Sequence, residues 1–206
     1  MNLLHIDASI ISQDSVSRRI TRTVVARLQQ TIPDPHIVYR DLCASPLSHL
    51  TLGSLPASHP LAAQVGSPGA DQHDRARSQE ALQEFLDADI IVIGAPMYNF
   101  TVPSQLKSWL DRILIPGMTF RYGSNGVEGL AGGKRVIVVL SRGGLYGPAS
   151  PNAAAEHAES YLRTALGFIG ITDTDFIIAE GVQLGPDQHK IALERALHAA
   201  ADIRPA

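Results

Sequence analysis

The chain has 206 residues, 45% apolar and 18% charged, a balance that suits one packed globular unit, residues 1–206, and excludes a disordered chain. Formal net charge is −3 and the 17 Lys and Arg are scattered, so there is no electrostatic case for nucleic acid or anionic lipid as the main partner. A lone cysteine, Cys43, rules out an intrachain disulfide, the segment Met1–Asp7 lacks signal-peptide regions, and no apolar run nears the roughly 20 residues of a membrane span, so a cytoplasmic protein is expected.

Five short apolar runs read as strands: Asn2–Asp7, His36–Leu42, Ile90–Pro96, Arg135–Ser141 and Asp175–Glu180. Ile90-Ile91-Val92-Ile93 and Val136-Ile137-Val138-Val139 are apolar without alternation, the mark of parallel strands covered on both faces. Helical stripes lie between them. Val16, Ile20, Val24 and Leu28 mark the first, and Ala81, Leu82, Phe85 and Leu86 the second. Leu106, Trp109, Leu110, Ile113 and Leu114 mark the third, with Pro103 near its start, where a missing N–H costs nothing. Tyr161, Leu162, Ala165, Leu166 and Phe168 mark the fourth, and the last starts near Pro186. The alternation implies an α/β fold with right-handed crossovers. Two stretches fall outside it. Ser45–Gly69, rich in Pro, Ser, Gly and Ala, reads as a surface excursion with room for a short helix, and Pro116–Gly133, with Phe120, Arg121 and Tyr122, reads as a long functional loop.

In an open parallel sheet, ligands bind beyond the carboxyl ends of the strands, near the switch in strand order. After the first strand, Ser9, Ser12, Ser15 and Ser17 lead into a helix whose free N–H groups and positive dipole end suit a phosphate; ordinary N-capping by Ser15 or Ser17 is the alternative. No G-x-G-x-x-G is present, and Gly132-Gly133-Lys134-Arg135 does not make a Walker motif. After the third strand, Met97, Tyr98, Asn99 and Phe100 suit the edge and face of a flat aromatic ligand, or else form an apolar plug. After the fourth, Ser141-Arg142-Gly143-Gly144 lets backbone amides approach a ligand closely, or simply turns the chain.

A hydrolase built on His5, Asp7 and Ser9 lacks the G-x-S-x-G elbow. A phospho-receiver lacks the acidic cluster, since only Asp7 stands at a strand end. The eight histidines show no metal-ligand spacing, so no metal is expected and most should lie on the surface. Cys43 reads as a small packing residue, and Asp111, Arg112, Glu156 and Glu159 read as solvated helix faces. Arg142 has two readings, a carboxylate partner that fixes its loop or a reach toward a nicotinamide cofactor.

In combination, Ser9, Ser15-Val16-Ser17, Ala95-Pro96-Met97-Tyr98-Asn99-Phe100, Thr119-Phe120-Arg121-Tyr122, Glu128-Gly129-Leu130, Ser141-Arg142-Gly143-Gly144 and Leu166–Asp173 resemble the FMN-dependent NADH:azoreductase/quinone reductase family of the flavodoxin-like superfamily. The resemblance implies a flavodoxin-like fold, with a five-stranded parallel sheet in the order 2-1-3-4-5 and helices on both faces. It implies FMN held by Ser9, Ser15, Val16 and Ser17 at the phosphate, by Met97, Tyr98, Asn99 and Phe100 beside the ring, and by Ser141, Arg142, Gly143 and Gly144 at the pyrimidine edge. Asn99, Tyr122 and Phe168 then line the substrate side. It further implies a homodimer with its active sites at the subunit interface, NADH or NADPH as donor, and quinones or azo compounds as acceptors. Turnover is ping-pong on the flavin, with no catalytic side chain. A non-enzymatic FMN-binding electron carrier or regulatory protein would share the cofactor site, but carriers tend to be strongly acidic for docking, and −3 is mild.

Overall fold

A computed structural model describes residues 1–12, 14–56, 58–62, 72–124 and 126–204. Five parallel strands form the central sheet: β1 (Asn2–Asp7), β2 (His36–Asp41), β3 (Ile90–Pro96), β6 (Arg135–Arg142) and β7 (Asp173–Glu180). Their spatial order is β2-β1-β3-β6-β7, which is the order implied by the resemblance once a small hairpin is set aside. That hairpin, β4 (Phe120–Gly123) with β5 (Gly126–Gly129), corrects the reading of Pro116–Gly133 as a loop. Each arm has four residues, too few to show a period of two, and glycines at its ends mask it further.

Every residue of β3 and β6 is buried, as their unbroken apolar character requires. Alternate side chains go to opposite faces. Leu3, Ile90, Val92, Ile137 and Val139 meet α1 (Val16–Thr31) and α5 (Pro186–Ala201) through Ile20, Val24, Leu28, Leu193 and Ala196. Leu4, Ile6, Ile91, Ile93, Val136 and Val138 meet α2 (Gln72–Asp87), α3 (Ser104–Ile113) and α4 (Ala158–Phe168) through Phe85, Leu106, Trp109, Leu162 and Leu166. Each fully buried side chain of this kind is worth about 1.5–3 kcal/mol, so the two faces of one sheet carry most of the hydrophobic stabilisation. Among the described helices, none is long and apolar enough to cross a membrane.

The excursion after β2 contains one turn of 3-10 helix, Leu52–Ser54; residues 57 and 63–69 lie outside the described residues. Ser54 and Leu55 are buried. Arg112, whose side chain is 0% exposed, ties this turn to α3. Its guanidinium bonds Ser54 Oγ, the Ser48 carbonyl (2.9 Å) and Asp74 Oδ2 (3.3 Å). Arg112 is therefore a buried strut, not part of a solvated face. The helical period did place it opposite the apolar stripe, but the excursion folds over that side of α3 and encloses it.

Candidate functional site

The order of strands reverses between β1 and β3, because β2 lies on the far side of β1. A crevice is expected at their carboxyl ends, and one is found there. A hollow of about 170 Å³ is lined by Ser9, Ser15 and Val16 from the β1–α1 connection, Met97 and Tyr98 from the β3 exit, and Ser141 and Gly143 from the β6 exit. Val182, Gln183 and His189, after β7, close the fourth side. The sequence reading passed over that last segment. Its signal was the pair Gly181 and Gly185, both with positive φ (78° and 117°), which bracket a tight turn at a strand end.

The serine segment has both of its readings at once. Ser15 N-caps α1, its Oγ accepting from the Arg18 amide at 3.4 Å, and Ser17, fully buried, sits 3.2 Å from it. Capping by Ser15 uses one amide. The amides of Val16 and Ser17 have no carbonyl one turn back within the helix and face out of its end. No acidic residue stands in that first turn, although Asp14 borders the hollow. Ser9 is buried, and its Oγ accepts from the Ile11 amide at 3.2 Å, closing the turn that follows β1.

At the β3 exit, Met97 and Tyr98 are half-buried, and Asn99 and Phe100 are exposed. Asn99 and Phe100 have φ of 46° and 74°, a strained left-handed pair in non-glycine residues. Tyr98 ties this turn to the first one: its hydroxyl accepts from the Ile10 amide at 3.2 Å and lies 3.4 Å from Ser9 Oγ. Asn99 borders a neighbouring cavity with Ile10, Tyr98 and Gln105 rather than the hollow itself.

At the β6 exit, Gly143 stands against Gln183, whose Oε1 would lie 2.8 Å from a Cβ placed there, so a larger residue would have to push that side chain aside. The carbonyls of Gly143 and Gly144 accept from the Gln183 and Gly181 amides, lacing the turn to the segment after β7. Arg142 points elsewhere. Its side chain, 3% exposed, meets Glu159 at 2.6 Å, Glu156 at 3.3 Å and Glu180 at 3.6 Å. Of its two readings, the carboxylate partner is the one realised. Glu156 and Glu159 are correspondingly not solvated faces; burial alone would raise the Glu159 carboxyl, but hydrogen bonds from Arg163 and Arg142 hold it below the ordinary range.

Tyr122 and Phe168 do not line the hollow. They flank Phe120, with ring centroids 5.6 and 4.7 Å from it, and Tyr122 is 74% exposed. The hairpin that carries Tyr122 is held by backbone contact: a Cβ on Gly129 would collide with the backbone of Ile169 and Gly170.

Behind the β1 exit lies a charged cluster. Asp7 is buried and accepts from Thr21 (3.0 Å) and Tyr39 (3.1 Å), with His5 at 3.5 Å. Burial pushes Asp7 up, but His5, Thr21 and Arg18 outweigh it and the carboxyl sits low. His5 is thus an exception among the histidines, being buried. Cys43 is half-buried, and burial pushes its thiol up.

A family model described as a flavodoxin-like fold matches residues 1–203. The chain is 57% identical to an FMN-dependent NADH:quinone oxidoreductase of Gluconacetobacter diazotrophicus, over 99% of this chain and 100% of the relative. It is 56% identical, over all of both chains, to a protein of the same name in Methylorubrum populi. Among solved structures, an FMN-dependent NADH-azoreductase of Bacillus anthracis in complex with FMN superposes with a TM-score of 0.83 at 26% identity, covering 98% of each chain.

Proposed function

Because the chain belongs to the flavodoxin-like family that contains the FMN-dependent NADH:quinone oxidoreductases, we propose that it is itself such an enzyme, passing two electrons from NADH to quinones. The observation that carries this reading is the convergence of Ser15, Met97, Tyr98 and Gly143, from three strand-end turns, on one hollow at a helix N-terminus. FMN, when bound, would supply the hydride-transfer chemistry between NADH and the acceptor.

The chain's own residues bind and orient. Ser9, Ser15 and the Val16 and Ser17 amides form the phosphate end, where the α1 dipole and unpaired N–H groups favour an anion. Ser17 acts from behind, through Ser15. The hollow of about 170 Å³ has room for the phosphate end of the cofactor, and Met97, Tyr98, Asn99 and Phe100, at the β3 exit, would border its ring. Ser141, Gly143 and Gly144 offer backbone dipoles to the pyrimidine edge, a preorganised environment for charge that builds up on reduction. Arg142 shapes this turn through its carboxylates and leaves the ring contacts to its neighbours.

A second subunit would complete the acceptor side. Ile10, Phe100 and Tyr122 are exposed apolar residues around the mouth or on the hairpin, with Phe168 beside Phe120, and these are the groups a homodimer would bury. Aromatic azo compounds are the second acceptor class, and a single cysteine in the sequence fits a cytoplasmic setting.

Under nitrogen, the purified protein should show a flavin spectrum that bleaches with NADH and returns with a benzoquinone. Steady-state rates should give parallel double-reciprocal lines. Flavin that bleaches without catalytic NADH consumption in the presence of quinone would favour an electron carrier. Protein that neither contains nor takes up FMN would end the assignment.

A further inference from the structure

The buried charge nearest the phosphate end does not line the hollow. Arg18, the third residue of α1, folds its guanidinium back under the β1 exit. Its Nη2 donates to the Ser9 carbonyl at 2.8 Å and to Asp41 Oδ1 at 2.8 Å. Its Nη1 donates to Asp41 Oδ2 at 2.7 Å and to the Tyr39 hydroxyl at 3.0 Å. Asp41 is fixed in turn by the Cys43 and Ala44 amides, at 2.9 and 3.1 Å. One planar fork thus joins the end of β2, the first turn of α1 and the buried Ser9. Ser9 is the residue whose hydroxyl closes the turn by accepting from Ile11.

We infer that Arg18 is a positioning residue that gives the site its preference for a phosphorylated flavin over a phosphate-free one. It acts by holding the Ser9 turn in the shape that receives the phosphate, and the inference rests on the proposed phosphate end. The geometry separates this role from simple charge attraction. Asp41 takes both terminal nitrogens of the fork, and Asp7 lies 3.8 Å from Nη1, so the cation is balanced within the protein. An open groove of about 470 Å³ alongside is bordered by Arg18 and Arg22 together with the same two carboxylates, Asp7 and Asp41, so its formal arginine and carboxylate charges balance. What Arg18 contributes is direction. A buried carbonyl without its donor would rotate to find another, and the turn with its hydroxyl would go with it. Lysine cannot replace the fork, because a single ammonium does not bridge a carbonyl and both oxygens of a carboxylate in one plane. The ring contacts at Met97–Phe100 and Ser141–Gly144 are on other turns, and among them the Tyr98 hydroxyl is what links to the Ser9 turn, through Ile10 and Ser9.

The test is titration of apoprotein with FMN and, separately, with riboflavin, followed by quenching of flavin fluorescence. In Arg18→Ala, FMN affinity should fall by about tenfold or more while riboflavin affinity changes less than about twofold, as expected when the fork that orients the Ser9 turn is lost. Arg18→Lys should lose the same discrimination. Asp41→Asn, which keeps the guanidinium but frees one side of its fork, should move the ratio the same way by a smaller factor, and it carries the test if Arg18→Ala does not fold. Equal loss of both flavins in these variants would overturn the inference in favour of a purely structural role. A wild-type FMN-to-riboflavin ratio in Arg18→Lys would overturn it in favour of charge alone. If the unsubstituted protein itself binds both flavins equally, the phosphate end is misassigned and the inference falls with it; a wild-type preference for FMN that survives all three substitutions sinks the inference alone.

Discussion

Asp7 and Asp41 are carboxylates kept charged for different reasons. Arg18's fork holds Asp41 low, helped by two backbone amides, against partial burial. In Asp7 burial works against the charge, and His5, Thr21 and Arg18 overcome it. Both native pKa values lie below the ordinary one, so the unfolded chain binds more protons as acid is added. Their contribution is complete above about pH 4, the ordinary Asp value, and is lost as pH falls through the depressed native values. Urea unfolding midpoints should therefore drop steeply below about pH 4, and Asp41→Asn should flatten that drop while lowering the plateau above it. A variant with an unchanged slope would mean that Asp41 is not held low. At this scale the serines, Met97–Phe100 and Gly143 were legible as residue types in suitable places. The partners were not. That Arg142 meets Glu156, Glu159 and Glu180, or that Ser9 is held by Arg18, depends on contacts between positions far apart in the chain, which no local pattern records.

Among the elements, the five sheet strands and the helices were readable because burial leaves period and composition behind. The unbroken Ile and Val of β3 and β6 and the stripe of α3 are cases where one face or two must be apolar. The β4–β5 hairpin was not readable. Its arms are short and exposed, and Gly129 is required by the backbone of Ile169 and Gly170, a contact that adds no period to its own segment. The excursion after β2 is a similar case: Arg112 joins it to α3, and Ser45 and Ser48 bond Arg77 and Asp74 of α2. Replacing Arg112 with Ala removes a buried cation from Ser48, Ser54 and Asp74. The loss should be roughly 3–5 kcal/mol in urea unfolding, with Arg112→Met costing less because it refills the space without a charge to balance. Limited proteolysis of Arg112→Ala should cut first between residues 45 and 62. Cleavage elsewhere would show that this arginine does not hold the excursion.

For the whole molecule, the hollow comes from four strand exits brought side by side, and aromatic residues of the proposed acceptor side stand exposed. Phe100 is 52% exposed and Tyr122 74%, beside an otherwise well-packed core. Sedimentation should give a particle of twice the 22.1 kDa chain mass. Tyr122→Ala should raise the KM for quinone by about threefold to tenfold with little change in FMN affinity, as expected for loss of one aromatic contact at the acceptor side. A monomer with full quinone turnover would refute the shared site. The sequence alone settled that strands alternate with helices and that the sheet is parallel and covered, because hydrophobic burial and backbone hydrogen bonding leave regular, local traces. Which turns share a wall, which arginines are struts, and which aromatics stand outside the hollow was decided only by the tertiary structure. Those facts depend on the packing of segments distant in the chain, where a single charged fork or a missing Cβ outweighs any local preference.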